Sequence, residues 1–263
     1  MIASRRILVL STTAAMLLAG AGTLVFGTVG ARAASTTLCS LQAAPASGGT
    51  YTVQNNEWGS GASECITTDG AADFAVANSA ISNATNGAPG GYPSIYQGCH
   101  WGSCSSGGLS STHLQVSSLT AGRVTTSWST GQPGGSSAYD VAYDIWFNST
   151  ATTGGQPNCT ELMVWLNHNG SVQPFGSRIA TGVGVGGHTY DIWEGHQAWD
   201  TISYTMTSGT TSVSGLDVGT LAQDASRRGH LPQSCFLLDV EAGFELWQGG
   251  QGLRTNSFSV SVH

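Results

Sequence analysis

Residues 160–166 (TELMVWL) and 236–247 (FLLDVEAGFELW) alternate between apolar side chains and carboxylates or indoles. A strand sends successive side chains to opposite faces, so Leu162, Val164 and Leu166 share one face and Glu161, Met163 and Trp165 the other. In the second segment Phe236, Leu238, Val240, Ala242, Phe244 and Leu246 form the apolar set, opposite Asp239, Glu241, Glu245 and Trp247. This pattern constrains the chain to a sheet with one face in a core and the other carrying acids beside aromatic rings. Such a face suits a groove that stacks sugar rings and acts on the bond between them.

The rest of the chain is consistent with all-β structure. From about residue 48 to 263, short alternating runs are separated by Gly, Ser, Asn and Pro clusters, and the 37 glycines and 8 tryptophans suit turn-rich sheets. Strands are predicted over 50–55, 72–77, 123–129, 138–147, 160–167, 188–194, 201–207, 236–247 and 257–262. One helix is predicted over 216–228, where Leu216, Leu221 and Ala225 approximate helical spacing, Asp217 stands near the start, and Arg227, Arg228 and Gly229 mark the end. No internal repeat or Pro-Thr-rich linker divides the chain, so residues 34–263 are expected to form a single domain.

Residues 1–33 read as an export signal: Arg5 and Arg6, an apolar run from Ile7 to Leu18, then Ala31-Arg32-Ala33 with cleavage after Ala33. A membrane anchor is the rival reading, but Ser11, Thr12, Thr13 and several glycines interrupt the run. A secreted, extracellular protein is expected. Beyond residue 33 only Arg123, Arg178, Arg227, Arg228 and Arg254 face 15 Asp and Glu, a formal charge of about −10 with no lysine anywhere. That field disfavours nucleic acid and anionic membrane surfaces as partners, while a neutral polymer is indifferent to it.

Six cysteines in an exported chain point to disulfides. Cys99 and Cys104 enclose a loop short enough to close locally, and Cys39 pairs most simply with Cys65, which leaves Cys159 with Cys235. Parity places Cys159 on the face of Glu161 and Cys235 on that of Glu245. Sequence alone leaves the connectivity open. Zinc is the weaker alternative, since paired two-residue knuckles are missing. The seven histidines show no ligand spacing, so neither a metal nor a cofactor is expected.

Among the acids, Glu161 and Glu245 form the best pair for a retaining glycosidase, which needs two carboxyl groups about 5 to 5.5 Å apart. The bland alternative is two solvated glutamates on an outer face; the neighbouring tryptophans weigh against it, because an exposed row of indoles and acids has little use without a ligand. Asp144 shares a face with Asp140, Ala142 and Trp146. It is either a carboxyl that tunes the nucleophile by like-charge coupling or a hydrogen-bonded structural acid. Asp239 and Glu241, before Gly243, read as rim or structural residues.

Several blocks of this sequence together resemble glycoside hydrolase family 12, in particular its secreted actinobacterial endoglucanases. They are 55–59 (NNEWG), 92–104 (YPSIYQGCHWGSC), 143–146 (YDIW), 160–165 (TELMVW), 173–174 (QP) and 242–250 (AGFELWQGG), in one order from about Cys39 to Val262. The resemblance implies a β-jelly roll of two curved antiparallel sheets, a concave cleft for a β-1,4-glucan and one helix packed outside. It implies retaining, endo-acting hydrolysis with Glu161 as nucleophile, Glu245 as acid/base and Asp144 beside the nucleophile. Asn56 and Trp58 match a sugar-binding strand, His100 and Trp101 a loop at the cleft edge. Met163, Trp165, Pro174 and Trp247 complete the expected substrate contacts. Leu246 stands where many relatives carry proline, and a Cys159–Cys235 pair is not general in the family; it would stiffen or narrow one end of the cleft. The expected partner is a β-glucan substrate, bound by a protein expected to be a monomer. Rival functions are a xyloglucan- or mixed-linkage-preferring hydrolase or transglycosylase of the same family, and a non-catalytic glucan-binding module.

Overall fold

Strand Ala138–Asn148 shows how alternation becomes a two-faced sheet. Tyr139, Val141, Tyr143, Ile145 and Phe147 enter the main core, while Asp140, Ala142, Asp144 and Trp146 lie on the opposite face. The same division runs across its neighbours, and Val53, Ile95, Ala242, Tyr143, Val164, Tyr204 and Ile192 make a continuous buried row across six strand pairings. The computed structural model describes residues 34–263. The export-signal reading of residues 1–33 therefore lies outside the described residues.

Two sheets sandwich this core. The larger runs in the order Ser177–Val185, His188–His196, Asp200–Met206, Thr160–Asn169, Ala138–Asn148, Asp239–Gly243, Ser94–His100, Tyr51–Gln54 and Ala43–Ala46. The smaller runs Thr36–Cys39, Glu64–Thr68, Phe74–Ser79, Arg254–Val262, Val124–Gly131 and Ser212–Asp217. From the smaller sheet Trp128 packs edge-on against Tyr143, ring centroids 5.2 Å apart, and also meets Phe244. Pairing is antiparallel apart from Thr160–Asn169 with Asp200–Met206, which are parallel.

Helix Val218–Arg227 buries Val218, Leu221, Ala222 and Ala225. Asp217 caps it by accepting from the Thr220 N–H at 3.0 Å, satisfying one of the free amides of the first turn. The predicted start at Leu216 is corrected: Leu216 belongs to strand Ser212–Asp217, where it pairs with Thr126. Leu109–Thr112 adds a single helical turn.

Residues 236–247 do not form one strand as predicted. They split into Phe236–Leu237, Asp239–Gly243 and Leu246–Gln248. Leu237 enters the main core in place of Phe236 and Leu238, and the alternation resumes at Val240. Gly98 permits the break. A Cβ there would lie 2.2 Å from the Leu238 carbonyl oxygen and 2.5 Å from the Asp239 Cα, and its φ of 123° is open to glycine.

All three expected disulfides form: Cys39–Cys65, Cys99–Cys104 and Cys159–Cys235. The parity argument for the last is corrected. Cys235 belongs to the main core and Cys159 packs against it, because both precede the strands they were assigned to.

Candidate active site

The outer face of the larger sheet collects acids and aromatics because its strands are in register. Tyr96, Glu241, Asp144, Met163, Ser203 and Trp193 form one row, and Trp146, Glu161, Thr201 and Gly195 the next. Glu245 follows Asp239–Gly243 and is tied to the central strand twice. Its N–H donates to Asp140 Oδ1 at 2.9 Å, and the Asp140 N–H donates to the Glu245 carbonyl at 3.1 Å.

The two glutamates stand in different environments. Glu161, 9% exposed, accepts hydrogen bonds at Oε2 from Trp199 Nε1 and Thr201 Oγ1, both at 3.0 Å. Burial pushes its carboxyl above the usual range, and these two donors oppose that push by stabilising the anion. Glu245 is held well above the usual range, first by burial and then by the charge of Asp140, a side-chain hydrogen bond with Asp140, and the charge of Glu161. Asp140 is itself pushed up to about 8 by burial, against the hydrogen bonds from Glu245. Both members of the Asp140–Glu245 pair are thus raised, so the pair shares a proton near neutrality.

Asp144, cross-strand from Met163, is also raised well above its ordinary value by burial and by the charges of Glu161 and Glu245. A neutral Asp144 is therefore the form compatible with an ionised Glu161. On its other side His100 Nδ1 lies 3.0 Å from Glu241 Oε2 and 3.5 Å from Asp239 Oδ2. Burial opposes the charge on His100, but the two carboxylates outweigh it and carry its pKa to about 10. Burial lifts Asp239 to about 7 despite His100. The donor atoms of this trio fall within 4.8 Å of one another, a spacing that would suit a cation. With Nδ1 protonated, the contacts are those of an ion-paired trio.

The predicted residues divide into those near the acids and those that pack elsewhere. Glu161, Glu245, Asp144, Met163 and His100 gather on this face. Trp101 is 42% exposed and Trp58 is 53% exposed, so both offer open rings. Asn56 is partly exposed with φ 49° and accepts from the Tyr92 N–H through its carbonyl. The expected open row of Trp165 and Trp247 is corrected. They are 1% and 4% exposed and form a small cluster with Ala138, Ala142, Met163 and Val172, and Trp247 Nε1 donates to the Gly87 carbonyl at 2.7 Å. Pro174 is buried, and the open ring beside it is Phe175, which lies against Gly195. Asp239 and Glu241, read as rim or structural acids, are fully buried and lie at the centre of the sheet.

Sequence reasoning missed Asp140, Trp146, Trp199 and Thr201 as site residues. Alternation over 138–147 places Asp140 and Trp146 on the acidic face, so their signal was present. Trp199 stands in the turn before strand Asp200–Met206, where no periodicity points to it.

Comparison with known proteins accords with this geometry. Residues 49–263 match the model of glycosyl hydrolase family 12. Among curated relatives, a probable cellulase, Cel12b, from Mycobacterium tuberculosis is 31% identical over 125 residues, covering 48% of this chain and 82% of that protein. A probable xyloglucan-specific endo-beta-1,4-glucanase A from Aspergillus clavatus is 30% identical over 224 residues, covering 81% and 87%. Among solved structures, endoglucanase cel12A from Rhodothermus marinus superposes with a TM-score of 0.80 at 39% identity, covering 87% of this chain and 99% of that one. A paired-carboxylate face on a two-sheet sandwich, matched over four-fifths of the chain, places this protein in glycosyl hydrolase family 12.

Proposed function

We propose that this protein is an exported, retaining endo-β-1,4-glucanase in which Glu161 is the nucleophile and Glu245 the general acid and base. The observation that carries the reading is the contrast between the two carboxyl groups. Oε2 of Glu161 accepts two hydrogen bonds that favour the anion, while burial and Asp140 keep Glu245 protonated. A retaining cycle needs that asymmetry. With Oε2 held by Trp199 and Thr201, Oε1 is the oxygen that attacks the anomeric carbon. Glu245 gives its proton to the leaving glycosidic oxygen, and the bond to Glu161 forms as the glycosidic bond breaks. Glu245, now ionised, takes a proton from water, whose oxygen displaces Glu161 from the anomeric carbon with a second inversion. Asp144, neutral beside Glu161, avoids like-charge repulsion with it.

The substrate is a β-glucan that stacks on Trp58 and Trp101, the exposed indoles of the described residues. Relatives bearing both cellulase and xyloglucan-specific names support a β-1,4-glucan backbone. Three disulfides support an oxidising, extracellular setting and a cleaved leader before residue 34. A binding module would not require buried, proton-sharing acids on its sugar face. Glu161→Gln and Glu245→Gln are each expected to lower reducing-end release from soluble β-glucan on the order of a thousand-fold or more, with binding kept. Unchanged rates in either variant reject the assignment, and a product profile on carboxymethylcellulose, xyloglucan and lichenan sets the preference.

A further inference from the structure

Glu161 is flanked on one side by a wall of indoles, of which the alternation pattern places only Trp146. Trp146 is its antiparallel cross-strand partner. Trp199 comes from the turn between His188–His196 and Asp200–Met206, where the Gln197 N–H donates to the Trp199 carbonyl. The two rings meet edge-on, centroids 5.1 Å apart. Trp101 stands over both, 4.8 Å from Trp146 and 6.4 Å from Trp199, each near perpendicular. It reaches there from the loop closed by Cys99–Cys104, with a left-handed backbone, φ 44°, and with the His100 ring 4.5 Å away. The wall ends in one polar contact, Trp199 Nε1 to Glu161 Oε2 at 3.0 Å.

From this arrangement we infer that Trp199 is a positioning residue for the nucleophile, and that the disulfide-closed loop acts on catalysis by holding Trp199 in place through Trp101. The inference rests on the reading of Glu161 as nucleophile. An indole N–H is a donor only, so it favours the carboxylate over the carboxylic acid. Fixing Oε2 also fixes the direction of Oε1, and a nucleophile displaced by about 1 Å loses rate on the order of a hundred-fold. Edge-to-face contacts with Trp146 and Trp101 restrict the Trp199 ring, and the short disulfide restricts Trp101. Thr201 supplies the second donor from the neighbouring parallel strand, so the anion does not depend on Trp199 alone.

Trp199→Phe keeps most of the ring packing and removes the donor. It is expected to lower kcat about ten-fold or more while KM stays within about two-fold, and to move the acidic limb of kcat/KM to higher pH, because the Glu161 carboxyl rises when its anion loses a donor. Thr201→Val is expected to shift the limb in the same direction, and the double variant further than either. Trp101→Ala is expected to give a smaller shift of the same sign with the Trp199 donor still present. An acidic limb unmoved in Trp199→Phe and in the double variant overturns the inference, as does a change confined to KM, which would make Trp199 a sugar platform. Trapping wild-type enzyme with a 2-deoxy-2-fluoro cellobiosyl fluoride and locating the adduct by mass spectrometry separates the two readings. A label elsewhere than Glu161 removes the nucleophile assignment itself, whereas a label on Glu161 with unmoved limbs removes only the role of Trp199.

Discussion

Glu64 opens strand Glu64–Thr68 and is 1% exposed, yet neither of its carboxyl oxygens has a hydrogen-bond partner among the described residues. It lies against the segment that carries Asn56 and Trp58: a Cβ on Gly91 would be 2.6 Å from its Oε2 and 3.3 Å from the Asn56 carbonyl oxygen. Burial, and then the charge of nearby Glu57, raise its pKa from 4.5 to about 8. Because the folded value is the higher one, the folded state binds this proton more tightly than the unfolded chain. Relative to a side chain that cannot ionise, Glu64 therefore costs the fold nothing below about pH 4.5, and stability is lost steadily as pH rises until the whole penalty of a buried carboxylate stands above about 8. The difference of 3.5 units at 1.36 kcal/mol each amounts to about 5 kcal/mol, a ceiling because relaxation and water entry soften buried-charge penalties. Glu64→Gln keeps the shape and cannot ionise. At pH 4.5 the variant should match or fall slightly below wild type, and at pH 9 it should exceed it by about 2 to 5 kcal/mol, or roughly 5 to 20 °C in melting temperature for a domain of this size. Differential scanning calorimetry of both proteins from pH 4.5 to 9 measures the difference directly, and subtraction cancels the titration of every other buried acid. A difference independent of pH would refute the reasoning, since it would mean that Glu64 is not the group holding the proton.

Other expectations concern the site and its supports. Asp140→Asn removes a charge and a proton-sharing partner that hold Glu245 high, so the alkaline limb of the kcat/KM profile should move to lower pH; a limb that stays put would free Glu245 from Asp140. His100→Ala leaves Asp239 and Glu241 buried without their cation, a loss of about 3 to 5 kcal/mol that should be fullest near pH 6.5 and shrink as pH rises toward 10, readable from urea midpoints at pH 6.5 and 9.5. The His100 contribution in wild type, with its folded pKa raised to about 10, is complete below its ordinary value of 6.5 and fades as pH rises through 10. Cys159→Ala with Cys235→Ala opens a link between residues 76 apart, worth about 4 kcal/mol by loop entropy, and should lower the melting temperature with little change in KM.

The strands that carry Asp140, Asp144 and Glu161 were legible because burial on one face imposes a period of two, which 138–147 keeps throughout and 160–167 keeps up to the bulge after Trp165. Both were found within two residues of their observed ends. Strand Ser94–His100 was not predicted, although it lies next to Asp239–Gly243 in the sheet. It is buried on both faces, so Ser94, Gln97 and Gly98 interrupt no visible alternation. The same burial explains the misreading of Trp165 and Trp247. Parity assigned them correctly to the acidic face, but a face is not a surface, and loops through Gly87 and Val172 cover that end. Trp199 illustrates the deeper limit. Its role arises from a parallel pairing that brings Thr201 beside Glu161, and from a turn that folds one indole back over the pair. Neither a parallel register nor the direction of a turn side chain leaves a periodic trace. The acid-bearing face is thus readable from strand patterning, whereas the donors that bear on the protonation of Glu161 come from contacts between segments far apart in the chain, and only the fold reveals them.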